Sequence, residues 1–406
     1  MRFFKYQLLC AMLCGAATSC DSALPQKEQV VGDCFVAADC GATAQVCKEN
    51  QCVACGAQSD CDSQVCDTYG DLGGAGRGTC VAASSIVYVD NGESNQLNCS
   101  QAKGTLALPY CTLAEALTAS RMPSGPNKLI RLLASSSGYF AGPFTMDAGA
   151  VVLLGPASSE AGKAATLLAD TDDSKIIFGQ NSNVLIDGIV LSAEGISGAA
   201  GSKITIRRAV MNSMGSGQSF DTATVTLDRN LIAEGSSTLA FANSVISVTN
   251  NIIANNTLPQ DAKLISISGG SGTFQFNSVV YNSLMGNALA LSCADSTAVT
   301  VKNSIFAQNG VTPQISASGC KLTASSVVVG KSDPTAGQIK QEPVFEDPLK
   351  LDLRPKLSDP TSAQYIIDKA VEVSAASDKN IDHDYLGTAR PQGGGYDIGA
   401  FELPVK

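Results

Sequence analysis

The stretch VTLDRNLIAEG, beginning at Val225, is followed 21 residues later by ISVTNNIIANN, beginning at Ile246, and together they decide the fold. Each sets two apolar residues two apart, then a polar turn, then an apolar pair. Five further segments share the pattern: VLIDGIVLSA from Val184, ITIRRAVMNS from Ile204, FQFNSVVYNS from Phe274, VTVKNSIFAQN from Val299 and LTASSVVVG from Leu322. Successive starts lie 20, 21, 21, 28, 25 and 23 residues apart. Alternation within each segment is strand-like, because side chains on a strand point to opposite faces at period two. A shorter strand precedes several of them, at 176–178, 239–241, 264–267 and 289–291.

Three short strands per repeat, joined by Asn, Gly and Ser turns, describe one coil of a parallel β-helix. Each coil pairs its backbone with the next about 4.8 Å away, so no crossover helices are needed. No repeat holds the 3.6-residue period of a helical bundle. Propeller blades need about 40 residues, nearly twice this spacing. The consensus of leucine-rich repeats is missing. A narrow interior favours stacked Val, Ile, Leu and Ala, and large aromatics are expected to fit poorly. Asn230 and Asn251 fall at one turn position, joined by Ser304, where stacked side chains would satisfy turn backbone. Cys293 and Cys320 lie one coil apart, which suits a bridge between adjacent rungs.

The composition agrees with a coil. Of 406 residues, 44% are hydrophobic, 5% aromatic and 16% charged, with no Trp, one His and 15 Cys. The apolar content is ample for a core, so disorder is excluded. A net charge of −10 argues against nucleic acid, whose binding rests on Lys and Arg neutralising phosphates. A single His, His383, leaves no His-cluster metal site and allows a Ser-His-Asp enzyme only if that residue serves it.

The first residues read as an export signal. Arg2 and Lys5 form a basic start, 8–17 is a short apolar run, and small residues precede Cys20. The run Ala17-Thr18-Ser19-Cys20 resembles a bacterial lipobox, with Ala17 where Leu is usual, which implies a lipid on Cys20. Ordinary signal-peptidase cleavage is the alternative. Removing residues 1–19 takes Arg2 and Lys5 from a chain of net charge −10, so the mature chain carries −12. No other stretch reaches the length of a membrane span.

Twelve cysteines remain after Cys10, Cys14 and Cys20, and outside the cytosol disulfides are the default. Cys99 with Cys111, and Cys293 with Cys320, form two evident pairs. Eight lie in a repeat, Cys34, Cys40, Cys47 and Cys52 followed by Cys55, Cys61, Cys66 and Cys80. Asp39 and Asp60 precede the second Cys of each unit, and Val46 and Val65 the third. So short a module cannot bury much of a core, and cross-links replace it. Spacing leaves its connectivity open. Zinc, prompted by Cys52-x2-Cys55, is the weaker reading.

The two ends carry a resemblance. Ile86-Val87-Tyr88-Val89-Asp90, then Pro109-Tyr110-Cys111-Thr112-Leu113 leading into a short helix at 114–119, resemble the opening of right-handed β-helix proteins of the pectin-lyase-like superfamily. The strand 129–133 with Gly138-Tyr139 continues it. At the other end stand Pro343-Val344-Phe345, Leu351 and Leu353, Ile366-Ile367-Asp368, Asp382, Gly387, Arg390-Pro391 and 396–402 (YDIGAFE). This series is similar to the ending of bacterial surface proteins of the choice-of-anchor Q type. The resemblance spans about 86–402 and implies a right-handed parallel β-helix with an N-terminal helix cap, placed at the cell surface. It implies no single activity, since this architecture carries lyases, hydrolases, epimerases and adhesins. The module resembles cysteine-rich repeats that precede larger domains in such proteins.

The expected layout is therefore a signal peptide at 1–19, anchor and tether at 20–33, two cysteine-rich repeats at 34–81, β-helix at 86–340 and a C-terminal cap at 341–406. Arg390 is expected to pair with Asp397 or Asp382 and lock the cap over the last rung. Asp382, Asp384, Arg390, Asp397, Glu402 and His383 are the competing reading as a polar site.

Aligning the repeats puts Asp187, Arg207, Asp228, Thr249, Asn277, Lys302 and Ser325 in one column, with Arg208 and Arg229 beside it. A lyase needs a base and a cation, and a hydrolase two carboxyl groups several ångströms apart. Asp187, Arg207 and Asp228 are the best catalytic candidates, but their alternating signs read first as an exposed ion-pair ladder. Asp172, Asp173 and Glu234 read as isolated turn residues. Tyr139, Phe140, Phe144, Tyr281 and Phe306 are the aromatics available to stack on a sugar. No cofactor is implied, calcium entering only if the protein is a polysaccharide lyase or hydrolase. The function expected is structural or glycan- or protein-binding, by a monomer held on an envelope membrane through its lipid, or secreted if unlipidated.

Overall fold

The computed structural model describes residues 40, 46–48, 51–73, 76–91, 99–121, 128–135, 138–141, 144–146, 149–156, 165–169, 175–212, 215, 217–294, 297–316, 318–371, 373 and 381–404. The export signal, Cys20, the tether, Cys34, Asp172 and Asp173 lie outside these residues.

The chain is an all-β parallel solenoid with a disulfide-rich N-terminal region. Three parallel sheets of ten, ten and eight strands run along it. The first sheet starts at Ile86–Val89 and Leu129–Leu132 and continues through Ser182–Asp187, Lys203–Arg207, Thr224–Asp228 and Val245–Thr249 to Lys321–Leu322. Each coil then turns through one or two residues into the second sheet, which includes Leu231–Ala233, Ile252–Ala254, Ser278–Val280 and Ser304–Ala307. The eight-stranded third sheet holds the shorter strands read from the sequence, Lys175–Phe178, Leu239–Ala242, Lys263–Ser268 and Leu289–Ala294.

Register departs from the expected alignment at two coils. Thr249 pairs with Gln275, not Asn277, and Val301 pairs with Leu322, so Ser325 drops out of the column. The inward position opposite Ile246 is Gly272, where a Cβ would fall 1.9 Å from the Ile246 carbonyl oxygen. An inward glycine hides the true start of that strand. A slip of two residues keeps every side chain on its own face, so alternation alone does not detect it.

The interior also admits aromatics, against expectation. Phe178, Phe220, Phe241, Phe274 and Phe306 are buried, and the rings of Phe220 and Phe241 stack 5.6 Å apart. Room comes from a small residue in the next coil. Gly198 sits between Phe178 and Phe220, and a Cβ there would lie 2.9 Å from the Phe220 ring.

Asn side chains form the expected ladder, and a second one besides. Asn230 Nδ2 donates to Asn251 Oδ1 at 3.0 Å and Asn251 Nδ2 to Asn277 Oδ1 at 3.0 Å, while the Asn277 N–H donates to Ser304 Oγ at 3.1 Å. Asn256, Asn282 and Asn309 repeat this at the next corner. Each amide also donates to a carbonyl of the preceding coil, as Asn251 does to Leu227. These buried turns are thereby satisfied across coils as well as within them.

Both flanks are covered. The helix Leu113–Ser120, capped by Thr112 and Glu115, buries Leu113 and Ala116 against the first coils. The Cys99–Cys111 bridge, with Cα atoms 5.7 Å apart, precedes it, and Cys293–Cys320 ties neighbouring rungs. The C-terminal segment was expected over the last rung. Instead it lies along the outer face of the second sheet, packing Phe345, Leu353, Ile366, Ile398 and Phe401 on Ile252, Val280, Ile305 and Val328. That face is apolar and needs cover. The Gly399 and Ala400 N–H groups donate to the Asn303 carbonyl and Ser278 Oγ, and the Asn250 amide donates to the His383 carbonyl.

Candidate functional site: a charged column under the cysteine-rich module

The column of the first sheet begins earlier than the repeats suggest. Pairing runs Tyr88, Arg131, Leu154, Asp187, Arg207, Asp228, Thr249, Gln275 and Lys302. All are outward positions, yet Arg131, Asp187, Arg207 and Asp228 are 1–3% exposed. The ladder expected at the surface is buried, because the cysteine-rich module lies on it. Val65, Leu72 and Val81 of the module pack on Tyr88, Leu129 and Leu154, and Tyr88 Oη donates to the Ser63 carbonyl.

Disulfides shape the module. Cys55 bonds Cys66 and Cys61 bonds Cys80, first to third and second to fourth, while Cys40 bonds Cys52 in the same sense. Cys47 is disulfide-bonded as well. Cys52 and Cys55, the pair that prompted zinc, thus belong to different bridges. The sulfurs of Cys55, Cys61 and Cys66 lie within 4.8 Å of one another, but each is in a disulfide. After Cys66 the Asp67 carboxylate accepts three N–H groups, from Gly70, Asp71 and Leu72. That tightens a loop, with Gly70 at φ +78°, which presents Tyr69 and Asp71 to the column.

Arg207 is the meeting point. Its Nε donates to Asp187 at 2.8 Å, its terminal nitrogens to both oxygens of Asp71 at 2.9 and 3.2 Å, and its face lies 3.6 Å from the Tyr69 ring centre. Arg208 grips Asp187 through two nitrogens at 2.7 and 2.6 Å. Burial drives the Asp187 carboxyl upward, but the guanidiniums of Arg208 and Arg207 outweigh it and hold it down to about 2. Tyr69 Oη donates to Asp228 at 3.0 Å, and Arg229 Nε reaches the same oxygen at 3.2 Å. Arg131 is less well served. Among the described residues its Nε and one terminal nitrogen have no partner, and burial, against the pull of Asp187, lowers the guanidinium to about 10.

Arg208 and Arg229 are the first residues of two-residue turns between the first and second sheets, with φ +51° and +55°. Equivalent turns use Gly188, Asn250 and Asn303. The left-handed region costs a residue with a long side chain about 1 kcal/mol, so these two arginines are held there against preference.

Their side chains reach a cleft of about 610 Å³ between the module, the column and the C-terminal segment. Tyr69 and Arg77 form its module wall, and Asp382, His383 and Tyr385 the opposite one. Arg77 bridges the two, its Nη1 2.6 Å from Asp382 Oδ2, and His383 Nδ1 lies 2.7 Å from Asp382 Oδ1. Partial burial pushes the Asp382 carboxyl up, and His383 and Arg77 more than reverse it. Among the described lining residues Asp382 is the one carboxylate, beside three guanidiniums.

The remaining closing-motif charges stay in the C-terminal segment. Arg390 pairs with neither Asp397 nor Asp382 by side chain. It donates to Glu402 Oε2 at 3.3 Å and to the Asp397 and Gly399 carbonyls. Asp397 instead accepts the Asp368 and Leu403 N–H groups, and Asp384 those of Thr388 and Glu402.

The expected sugar-stacking aromatics do not converge. Tyr139 and Phe306 are core residues, and Tyr281 packs edge-on against Phe345. The side chains of Phe140 and Phe144 lie outside the described residues. Glu234 is a left-handed turn residue at φ +57°. Sequence reading found the column and the pair beside it, and missed Tyr69, Asp71 and Arg77. Their only sequence signal is a tyrosine and charges in a disulfide loop otherwise rich in glycine. No family model, curated protein or solved structure matches the chain.

Proposed function

We propose that the protein is an exported, lipid-anchored binding protein of the cell surface, whose solenoid and cysteine-rich module together hold a glycan. The observation that carries this reading is the cleft. Three separate parts of the chain build it, disulfides brace one wall, and its lining combines two tyrosines with three guanidiniums. Kinship with pectin-lyase-like proteins of the choice-of-anchor Q type belongs to the same proposal. It is supported by the closing series from Ile366 to Glu402, which gathers into one segment against the second sheet. Cys20 would carry the lipid, and no cofactor is part of the proposal.

Glycoside hydrolysis by paired carboxylates is the weaker use of the cleft, since Asp187 and Asp228 are buried behind arginines and Asp382 is engaged twice. One observation does favour an enzyme. Asp382 orients His383 on the cleft wall as a carboxylate orients a general base, and a lyase would draw on that pair and on calcium. Incubating the purified chain 21–406 with a glycan panel, with and without calcium, separates the two readings. Retention without cleavage is expected. Depolymerisation that is lost in His383→Gln selects the enzyme, and neither retention nor cleavage on any glycan overturns both. Labelled-palmitate incorporation, lost in Cys20→Ser, tests the anchor.

A further inference from the structure

The cleft's chemistry narrows the ligand, given the glycan-binding reading above. We infer that the site recognises a tetrahedral oxyanion, a sulfate or phosphate group, carried on a saccharide.

Arg229 donates only its Nε, to Asp228, and among the described residues no partner meets its two terminal nitrogens. Arg208 spends Nε and Nη2 on Asp187, leaving Nη1 without a partner there. Both side chains remain partly open, at 12% and 32% exposure, and both line the cleft. Arg77 faces them from the module, half-exposed. A guanidinium with unspent donors at the floor of a cleft is a site for an anion, because desolvation strengthens each charge-assisted bond it makes. Burial lowers the Arg229 guanidinium against the pull of Asp382 and Asp384. Each of the three arginines is matched by one carboxylate, Arg208 by Asp187, Arg229 by Asp228 and Arg77 by Asp382, so what the lining offers an anion is the donors left over from these pairs.

The column itself displays the chemistry. Asp71 places its carboxylate on two nitrogens of Arg207 beside the Tyr69 ring, an oxyanion and an aromatic held together by one guanidinium. A planar carboxylate satisfies one fork in this way. The open site differs, since guanidiniums approach from the floor and the module wall, and a tetrahedral group offers oxygens in more directions than the two coplanar oxygens of a carboxylate. A cleft of about 610 Å³ far exceeds a lone ion, so the oxyanion arrives on a larger body. Thr68 and Tyr385 on the walls offer hydroxyls that suit a sugar, whereas the Tyr69 hydroxyl is spent on Asp228 and one face of its ring on Arg207.

The test uses the disulfide-intact chain 21–406 and calorimetry with matched oligosaccharides that are sulfated, phosphorylated, carboxylated or neutral. Inorganic sulfate and phosphate serve as competing probes. Binding of a sulfated or phosphorylated sugar is expected, weakening about tenfold or more in Arg229→Gln, as loss of a charge-assisted contact implies. Lys350→Gln, remote from the cleft and 82% exposed, should leave affinity unchanged. If Arg229→Gln melts early, Arg77→Gln alters a half-exposed side chain and carries the same expectation. The sulfated and phosphorylated arms show which ester is preferred. Equal binding of neutral or carboxylated sugars overturns this inference and leaves glycan binding intact. Retention of no sugar overturns both, and so does binding of the inorganic ions alone.

Discussion

The guanidinium of Arg207 in the solenoid lies 3.6 Å from the centre of the Tyr69 ring in the cysteine-rich module. Behind the guanidinium is Asp187, and at its edge is Asp71. A desolvated cation over a ring of this kind contributes about 2 kcal/mol. The contact joins two regions that neither share a sheet nor follow one repeat.

Replacing Tyr69 with Ala should therefore loosen the module without unfolding the coils. Limited proteolysis is expected to cut within 51–81 faster, while the main thermal transition moves little. Cleavage at the parental rate would show that the apolar contacts of Val65, Leu72 and Val81 hold the module alone.

Asp187→Asn strands Arg207 and Arg208 beside each other in a buried setting. Breaking a buried pair on one side costs about 3–5 kcal/mol, which urea denaturation reads directly. The pH dependence has a definite sign. The Asp187 carboxyl titrates near 2 in the folded chain against an ordinary 3.8, so its contribution is complete above 3.8 and lost as pH falls through 2. The parent should lose stability across that interval, and Asp187→Asn should lack this component. Parallel acid profiles for the two proteins would refute the assignment.

Asp397 behaves oppositely in a different window. Burial, against the Asp368 and Leu403 N–H groups, raises its carboxyl to about 6 from 3.8. The folded chain then binds a proton that the unfolded chain releases, so stability falls as pH climbs from 3.8 to 6. The full effect is on the order of 3 kcal/mol, since each pKa unit is worth about 1.4. Melts of the parent and of Asp397→Asn across this range should converge at the acid end and separate toward neutrality. A constant separation would contradict the shift.

Asn251→Ala removes a side chain that serves two coils. The Asn230 N–H loses its acceptor, and the Leu227 and Thr249 carbonyls lose a donor. Each buried group left unpaired costs about 1–3 kcal/mol, so a loss of several kcal/mol is expected in equilibrium unfolding. By contrast Asn243→Ala, at an outer turn with φ +48°, should cost only the backbone preference of about 1 kcal/mol. Equal losses would mean that the ladder adds nothing beyond local turn geometry.

Much of the solenoid is legible in single coils. Val225, Leu227 and Ile232 point inward because alternation and stacking leave no other place for them. Asn230 and Asn251 announce their ladder through position alone. Asn277 was harder to place, because Gly272 removed the apolar mark by which its strand would have been aligned. The aromatic interior was equally hidden, for Phe220 is accommodated by Gly198, a residue of another coil.

The candidate site divides along the same line. Sequence by itself determined the coil and the rank of Asp187, Arg207 and Asp228, which follow from short-range periodicity, and the cysteine pairs at 99–111 and 293–320, which follow from their grouping along the chain. Only tertiary structure decided what that rank does. Exposed, the three would be a weakly coupled surface ladder. Covered by Tyr69 and Asp71, they become a buried joint, and the neighbouring Arg208 and Arg229 face a cleft instead of bulk water. The strength of a charge depends on the dielectric and the partners around it, and those come from segments remote in the chain. The docking of the module and the return of the C-terminal segment supply both.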